Sequence, residues 1–281
     1  MRVLVVPNPA TERSVIAART IAGWLADHGY EPALVTEDAV ACGMPERGVA
    51  PSEIGSVELV VALGGDGTTL KAVHLLGNED VPILGVNLGR LGFLSGAESS
   101  EMEGALVSAL AGEARIERRQ TLQCSVDVGG RSAGAYRALN EVFVGRGGGA
   151  RVVELEVAVN GVRLWRFVCD GVIVATPTGS TAYAMSAGGP LVSPEVRGMV
   201  LVPVAAHYLS ARALVVGAND RVEISCPNPA RAGACVTIDG YQAPCRRSLD
   251  SVSVWAGEHD VQFLKSDGRG FYEILAEKIL G

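Results

Sequence analysis

The stretch LGGDGTTLKA, residues 63 to 72, places three glycines around one acid at the end of the apolar run VELVVAL. A glycine-rich turn after a buried strand is typical of a phosphate site, because backbone N–H groups can approach the oxygens and the next helix adds its positive end. Asp66 contradicts that simple picture, since two negative groups about 4 Å apart repel by about 4 kcal/mol at an effective dielectric constant near 20. Its carboxylate is suited to accept the proton of a hydroxyl group, or merely to cap the following helix. The candidate phosphate turn consists of Gly64, Gly65, Gly67 and Thr68.

A second candidate site lies in ALNEVFV, where Asn140 and Glu141 interrupt an otherwise apolar strand pattern. Successive side chains of a strand point to opposite faces, so both can reach water only if the strand lies at an edge. In a central strand, at least one of the two needs a specific polar partner. The pattern therefore predicts either a ligand contact or an edge strand with a wet face.

The longest stretch of candidate site residues is CDGVIVATPTGSTAYAMSAGGP, residues 169 to 190. The strand VIVAT runs into a second turn of small residues, Thr176 to Ser180, whose hydroxyl and N–H groups could face phosphate or ribose. Residues 181 to 186 are predicted to form a short helix. Asp170 is either a ligand contact or an ordinary turn aspartate before Gly171.

The elements that must position these residues alternate between strand and helix in the first third of the chain. Apolar residues at three-to-four spacing predict an amphipathic helix over residues 11 to 28, with Thr11 or Ser14 as N-cap and Gly29 as its end. Residues 37 to 56 are predicted to be a loop, and a short helix is expected after GGDG. Strands are predicted at RVLVVPN, EPALVT, VELVVAL and VPILGVNLG, and a further helix at EMEGALVSALAGEA. Residues 1 to 114 are thus predicted to form an α/β domain with a mostly parallel sheet.

The pattern changes after residue 114, because short strands with frequent turns follow one another as far as residue 265. Gly129-Gly130 and Asn160-Gly161 each separate two strand patterns and predict tight hairpins. Residues 115 to 265 are therefore expected to form a β-rich domain. The last segment, residues 266 to 281, is predicted to be a helix that packs back on the first domain.

Composition limits the class of protein. With 281 residues, of which 48% are apolar and 20% charged, the chain can bury a full core, and its length suggests about two domains. A net charge of −7 disfavours a nucleic-acid partner, and no stretch is apolar enough to indicate a signal peptide or membrane span. Six scattered cysteines without a CxxC pair indicate neither a zinc site nor a disulfide framework. The expectation is a cytoplasmic protein with reduced thiols.

Five stretches in order, GGDGT, NLGRLGFLS, ALNEVFV, CDGVIVATPTGSTAYAMSAGGP and HYLSARALV, resemble the NAD kinase family, and the likeness runs from residue 1 to about residue 275. The resemblance implies a Rossmann-like α/β domain and a β-rich domain for NAD binding and oligomerisation. It also implies ATP-dependent phosphorylation of NAD at the 2′-hydroxyl of its adenosine ribose, giving NADP. A divalent metal, Mg²⁺ or Mn²⁺, and a homodimer or homotetramer with sites shared between subunits are implied as well.

The same resemblance assigns roles to single residues. Asp66 corresponds to the family's proton acceptor, and Arg151 to a basic position near the other subunit's ligand, although a simple surface arginine is the alternative. Lys71 would contact the dinucleotide and offset Asp66, or would be a solvated lysine; Tyr183 would stack on a base or belong to the core. The implied NAD-binding residues are Asp66, Gly67, Lys71, Asn140, Glu141, Arg151, Asp170, Thr181, Ala182, Tyr183, Ala184, Met185, Ser186 and, with a spacing uncertain by one residue, Gln242.

Two positions depart from the family pattern. Val168 stands where many members carry an arginine, so one expected cationic contact must come from elsewhere, and Ala213 replaces a common proline. GGDGT also occurs in kinases of lipids and sugar phosphates, and a non-catalytic dinucleotide sensor would keep the pocket alone. The sequence leaves open whether NADH replaces NAD, whether polyphosphate replaces ATP, which metal is preferred and whether NADP(H) feeds back on the protein.

Overall fold

The computed structural model describes residues 1–89, 92–147, 152–207, 210–229, 233–243, 249–266 and 269–280. The chain divides into two compact units, one of Met1–Arg118 with Val261–Gly281 and one of Arg119–Asp260. The chain thus leaves the first unit once and returns to it near its C-terminus.

The first unit is built on an eight-stranded sheet, counted within the described residues. The order is β3-β2-β1-β4-β5-β20-β7, with β6 paired to β5, and every pairing for which a register is defined is parallel. The strands are β1 Arg2–Pro7, β2 Glu31–Val35, β3 Gly48–Val49, β4 Leu59–Gly64, β5 Ile83–Asn87, β6 Ala97–Glu98, β7 Arg115–Arg119 and β20 Val261–Lys265. The helices are α1 Glu12–Asp27, α2 Thr36–Ala41, α3 Asp66–Leu76, α4 Met102–Leu110 and α6 Phe271–Leu280. The predicted α/β domain with a mostly parallel sheet is confirmed.

Helix α1 shows how the apolar pattern builds this core. Its buried residues Ala18, Ile21, Ala22 and Leu25 recur at three-to-four spacing and belong to the same cluster as the strand residues behind them. The helix ends at Asp27, and Gly29 adopts a left-handed φ of 79° just beyond it.

The predicted loop over residues 37 to 56 is wrong in part, because Thr36–Ala41 forms α2 and two 3-10 turns follow at Pro45–Arg47 and Pro51–Ser56. A helix this short is not stable on its own and requires tertiary contacts. Asp38 and Ala39 supply them, since both are buried against the first unit.

The second unit contains two six-stranded antiparallel sheets within the described residues, with the orders β15-β14-β13-β10-β17-β18 and β12-β11-β16-β19-β8-β9. Their inner faces share one apolar cluster, so this unit has its own core. The β-rich prediction is confirmed. The strands are β8 Leu122–Val128, β9 Arg131–Ala138, β10 Glu141–Arg146, β11 Val153–Val159, β12 Val162–Cys169, β13 Gly171–Ala175, β14 Gly198–Val204, β15 Leu214–Gly217, β16 Arg221–Ser225, β17 Ala234–Ile238, β18 Tyr241–Gln242 and β19 Leu249–Ala256, with the short helix α5 at Tyr183–Ser186.

Both predicted hairpins are present. Gly129-Gly130 joins β8 to β9, and Asn160-Gly161 joins β11 to β12. Asn160 and Gly161 have φ angles of 51° and 76°, the left-handed pair that favours Asn-Gly in a two-residue turn.

The stretch ALNEVFV is not one strand. Strand β9 ends at Ala138 and β10 begins at Glu141, so Asn140 lies in the bend between them. Strand β10 pairs with β13 on one side and β17 on the other, so the edge-strand alternative is wrong.

The expected domain boundary at residue 265 differs from the division in the structure. Val261–Lys265, or β20, pairs in parallel with β5 through Phe263 and Ile83 and belongs to the sheet of the first unit. All five of its residues are buried, which is the pattern of a strand inside a parallel sheet. Helix α6 lies in the same unit, where the Phe271 ring centroid is 6.0 Å from that of Phe93.

No helix in the described parts of the chain is long and apolar enough to cross a membrane. Cys42, Cys124, Cys169 and Cys226 are buried free thiols. Burial raises the pKa of Cys124 and of Cys169 to about 12, so these thiols are unreactive near neutral pH.

Candidate functional site

Asp66 lies in the first turn of α3, directly after the end of β4. The N-cap residue is Gly65, and no side chain caps this helix. The Asp66 carboxylate instead accepts two backbone N–H groups from outside the helix: Oδ2 from Phe93 at 3.0 Å and Oδ1 from Leu94 at 3.0 Å. The helix-cap alternative is therefore wrong, and the carboxylate is held by a loop of the NLGRLGFLS stretch. Arg90 and Leu91 of that stretch lie outside the described residues.

Glycine at position 92 is required by the closeness of this contact. A Cβ atom built on Gly92 would lie 2.0 Å from Asp66 Oδ1, far inside van der Waals distance. The loop can therefore approach the carboxylate only because position 92 has no side chain.

The three glycines of the GGDG turn differ in whether the structure has room for a side chain at their positions. A Cβ on Gly64 would lie 2.2 Å from Oγ1 of Thr68, whose side chain packs back on the turn. A Cβ on Gly65 or Gly67 would meet nothing within 4 Å, and both residues are exposed. Gly64 therefore serves packing, whereas Gly65 and Gly67 leave an open surface at the N-terminus of α3, where anions are favoured.

Lys71 forms an ion pair with Asp38 of α2. Its Nζ lies 2.7 Å from Oδ1 and 2.6 Å from Oδ2 of a carboxylate whose side chain is only 6% exposed. The solvated-lysine alternative is wrong. The expected offset of Asp66 is not seen either, because Lys71 is five positions further along α3, about 140° around an axis with 3.6 residues per turn.

The turn between β9 and β10 is fixed by Asp239, at the end of β17. Oδ2 of Asp239 accepts the N–H of Leu139 at 2.8 Å, and Oδ1 accepts those of Asn140 at 2.7 Å and Glu141 at 3.0 Å. Sequence reasoning missed Asp239. The available signal was the Asp239-Gly240 pair, since Asp-Gly is typical of a tight turn between two strands.

Glu141 is a buried acid with an altered pKa. Burial raises its pKa to about 7, the negative charge of Asp239 adds to the rise, and a hydrogen bond from the Tyr183 N–H opposes it. Its Oε2 atom is buried and has no hydrogen-bond partner among the described residues. Near neutral pH this carboxyl is therefore able to donate or to accept a hydrogen bond.

The turn Thr176 to Ser180 is buried and does not present its hydroxyls as expected. Thr176 Oγ1 donates to the Leu139 carbonyl at 2.6 Å and accepts the Gly179 N–H at 2.9 Å. Ser180 Oγ donates to the Pro177 carbonyl at 2.6 Å. A Cβ on Gly179 would lie 2.0 Å from the Asn140 carbonyl oxygen, so this turn packs directly on the bend at Asn140.

The predicted helix over residues 181 to 186 is shorter in the structure. A 3-10 turn, Thr178–Thr181, is followed by α5 at Tyr183–Ser186. Tyr183 is 43% exposed and its ring meets that of Phe143 edge-on, with centroids 5.6 Å apart. The exposed residues of this segment are Tyr183, Met185 and Ser186, whereas Thr181 and Ala182 are half-buried and Ala184 is buried.

Asp170 pairs with Arg146, whose Nε lies 3.3 Å from its Oδ1. Arg146 of β10 thus places a positive charge beside Asp170. Such a charge is expected to come from elsewhere in the chain, because position 168 is valine. Arg146 and Glu141 are at opposite ends of β10, about 17 Å apart at 3.4 Å per residue. Within one chain, the structure therefore does not bring Asp170 close to Glu141.

The remaining candidates are placed as follows. Gln242 is exposed in β18, paired with Thr237. Arg151 lies outside the described residues. Two groups of candidates are each defined within one unit: Asp66 and Gly67 at the start of α3 in the first, and Asn140, Glu141 and residues 181–186 in the second. Lys71 and Asp170 are paired with Asp38 and Arg146 instead.

No group of three or more His, Cys, Asp or Glu side chains is arranged to hold a metal ion within the described parts of the chain.

Family models and a curated relative match nearly the whole chain, and all of them are NAD kinases. Residues 3–114 match the family model of the ATP-NAD kinase N-terminal domain, and residues 139–266 match that of the ATP-NAD kinase C-terminal domain. A curated protein of Moorella thermoacetica named NAD kinase is 38% identical over 278 residues, which cover 99% of this chain and 89% of the relative.

Two solved structures are similar in fold. An NAD kinase from Archaeoglobus fulgidus in complex with ATP has a TM-score of 0.78 and 28% identity, covering 99% of this chain and 98% of the other. Yeast NADH kinase complexed with NADH has a TM-score of 0.90 at 24% identity, covering 99% and 87%, and supports the fold alone.

Proposed function

The chain belongs to the NAD kinase family, and from this membership we infer that it is an enzyme that transfers the γ-phosphate of ATP to NAD, producing NADP. The acceptor is the 2′-hydroxyl of the adenosine ribose. The observation that carries this conclusion is the 38% identity to a named NAD kinase over 99% of the chain. The relatives do not support a lipid kinase, a sugar-phosphate kinase or a non-catalytic sensor. ATP as donor is supported by the similar A. fulgidus enzyme, which was solved with ATP.

Asp66 is the proposed proton acceptor for the attacking ribose hydroxyl. Phosphoryl transfer passes through a loose transition state, so the protein contributes mainly positioning and charge. The two N–H groups of Phe93 and Leu94 fix the plane of the carboxylate, and each oxygen keeps a further lone pair for a hydroxyl group. Base catalysis of this kind contributes about 10²- to 10⁴-fold to the rate.

The second unit supplies the proposed contacts to the dinucleotide. Glu141 Oε2 is the best supported of them, because a buried acceptor without a described partner is costly until something binds to it. Tyr183 offers an aromatic ring on an exposed residue, and Asn140, Gln242 and Asp170 offer polar side chains. The further proposed contacts are Thr181, Ala182, Ala184, Met185 and Ser186, with Gly67 and Lys71 in the first unit and Arg151 outside the described residues.

We propose that the divalent metal, Mg²⁺ or Mn²⁺, arrives with the triphosphate of ATP and forms part of that substrate. The described residues fit this assignment better than a resident metal, since no cluster of three or more ligating side chains lies among them. Magnesium is commonly bound through substrate phosphates with few protein ligands. The metal would neutralise phosphate charge near the open surface at Gly65 and Gly67.

The activity is tested with purified protein, ATP, MgCl₂ and NAD, and the formation of NADP is followed with an NADP-dependent dehydrogenase. We expect NADP to form, and its absence with Mg²⁺ and with Mn²⁺ would refute the proposal. Crossing ATP and polyphosphate with NAD and NADH in the same assay defines donor and acceptor.

The role of Asp66 is tested by Asp66→Asn, with Asp27→Asn as a control that makes the same change at an exposed position at the end of α1. We expect the Asp66 variant to lose about 10²- to 10⁴-fold in kcat while NAD still binds in a calorimetric titration. A kcat near that of the control would contradict the base assignment.

The proposed homodimer or homotetramer and the proposed cytoplasmic location rest on the family resemblance and the composition. Light scattering after size exclusion would measure the oligomer directly.

A further inference from the structure

Asp239 is hydrogen-bonded several times to one short segment, residues 139–141. Its two carboxylate oxygens accept the N–H groups of three consecutive residues, Leu139, Asn140 and Glu141, at 2.7 to 3.0 Å. Its own N–H donates to the Glu141 carbonyl at 3.0 Å. Four hydrogen bonds therefore join this residue to a bend that is about 100 positions earlier in the chain.

The backbone conformation of the turn that contains Asp239 does not by itself require an acidic residue at this position. Asp239 and Gly240 have φ angles of 49° and 82° and connect β17 to β18, a conformation that asparagine or glycine would adopt as readily. An asparagine would, however, present one oxygen and one NH₂ group, and the NH₂ would face a backbone N–H. Only a carboxylate offers acceptors on both sides to all three amides.

The bend held by Asp239 carries two of the proposed substrate contacts. The backbone of Asn140 and Glu141 is fixed on one side by Asp239 and on the other by the turn at Gly179, which lies against the Asn140 carbonyl. Asp239 is only 6% exposed, so its charge acts through protein and little through water. That charge also faces Glu141 and contributes to the raised pKa of its carboxyl.

We propose that Asp239 is a positioning residue for NAD phosphorylation: its carboxylate sets the backbone of residues 139–141 and thereby aims the side chains of Asn140 and Glu141 at the dinucleotide. The inference rests on the proposed function. It predicts two separable effects, one on the binding of NAD through geometry and one on the ionisation of Glu141 through charge.

The test is Asp239→Asn, which retains a residue that tolerates the left-handed backbone but removes the charge and one acceptor. Asp220→Asn is the matched control, because Asp220 also accepts a backbone N–H in a turn of the same unit, that of Gly217 at 2.7 Å. We expect the KM for NAD to rise about 10- to 100-fold in Asp239→Asn, while the KM for ATP stays within about twofold. The control is expected to match the wild type.

The pH profile separates positioning from general loss of structure. Burial and then the charge of Asp239 raise the pKa of Glu141 to about 7, so we expect kcat/KM for NAD to depend on pH in this range. In Asp239→Asn this dependence is expected to move to lower pH, because the neighbouring negative charge is gone. Among the described residues Asp239 is the charged group that acts on Glu141, and the Tyr183 N–H is the hydrogen bond that remains. Equal losses for NAD and ATP with an unmoved profile, or wild-type kinetics, would overturn the proposal.

A second variant covers the case in which Asp239→Asn is too unstable to assay. Asp239→Glu keeps the charge but moves the oxygens by one methylene, so we expect the KM for NAD to rise while the pH profile stays in place. A normal KM for NAD in this variant would overturn the proposal. Wild-type enzyme that forms no NADP in the same assay would contradict the proposed function instead, so the two failures are distinguishable.

Discussion

At the scale of single residues, the position of the proposed base depends on one glycine in the loop that holds it. Asp66 is held by the amides of Phe93 and Leu94, which reach it only because Gly92 leaves room. Gly92→Ala would place a methyl group 2.0 Å from Asp66 Oδ1, so either the loop or the carboxylate must move. We expect kcat to fall about 100-fold, because a displacement of about 1 Å at a reacting group costs this much.

Gly89→Ala is the control for that variant. It makes the same change in the same loop, but its Cβ would meet nothing within 4 Å and its φ is not left-handed. Steady-state kinetics of both variants, with melting temperatures, would separate misplacement of Asp66 from loss of fold. Equal kcat values for the two would show that the position of Asp66 tolerates the shift.

A second prediction at this scale concerns Glu141 and the pH dependence of stability. Its pKa is raised from 4.5 to about 7 in the folded protein, so between these values the folded state binds more protons than the unfolded state. Its contribution to the free energy of unfolding is therefore fully present below pH 4.5 and is lost as the pH rises through about 7. The loss amounts to about 3 kcal/mol at 1.36 kcal/mol per pKa unit.

Glu141→Gln removes this dependence, because glutamine is neutral throughout. Urea unfolding at pH 5 and pH 8 should show that the variant gains stability relative to the wild type at the higher pH. A difference between the two proteins that does not change with pH would indicate that Glu141 titrates normally.

At the scale of elements, the C-terminal helix α6 supports the loop that holds Asp66. The ring of Phe271 lies 6.0 Å from that of Phe93, and Lys278 Nζ lies 4.7 Å from the centre of the Phe93 ring. Phe93 also donates one of the two hydrogen bonds to Asp66. The helix thus packs on a residue whose backbone positions the proposed base.

Phe271→Ala tests this support. Loss of a half-buried aromatic pair should lower the free energy of unfolding by about 1–2 kcal/mol, and kcat should fall severalfold as Phe93 becomes less constrained. Tyr272→Ala is the control, since Tyr272 is 69% exposed and its ring meets that of Phe271 edge-on, with centroids 5.3 Å apart. It should lower the free energy of unfolding less than Phe271→Ala does. An unchanged kcat in Phe271→Ala at reduced stability would limit α6 to a structural role.

Elements that depend on local signals could be predicted from the sequence, and elements that depend on distant partners could not. Helix α1 was predictable from the spacing of its apolar residues, and the turn between β11 and β12 from the pair Asn160-Gly161. Both signals lie within a short stretch of sequence. Helix α2 is different, because its buried Asp38 is balanced by Lys71, which is 33 positions away.

The candidate site shows the same limit. Asp66 was identifiable from its glycines, whereas the amides of Phe93 and Leu94 carry no signal of residue type. The role of Asp239 could not be predicted from the sequence, because its hydrogen bonds are to backbone N–H groups of residues 98 to 100 positions earlier.

At the scale of the whole molecule, the first unit is made from two separate pieces of chain. Strand β20 lies between β5 and β7 in the sheet, although it follows the entire second unit in sequence. Its side chains Val261, Phe263 and Leu264 are at most 5% exposed. Burial of three such side chains contributes about 5–9 kcal/mol, which is comparable to the whole stability of a domain.

This arrangement predicts which parts of the chain can fold alone. A fragment of residues 1–118 would leave a gap between β5 and β7, so we expect no cooperative thermal transition by circular dichroism. Joining residues 261–281 to it through a flexible linker should restore the transition, because β20 then again fills the gap between β5 and β7 and buries its apolar side chains. A fragment of residues 119–260 holds both antiparallel sheets in one continuous stretch and should melt cooperatively. A cooperative transition in residues 1–118 alone would mean that the parallel sheet is stable without β20. Residues 261–281 would then not be required for the first unit to fold.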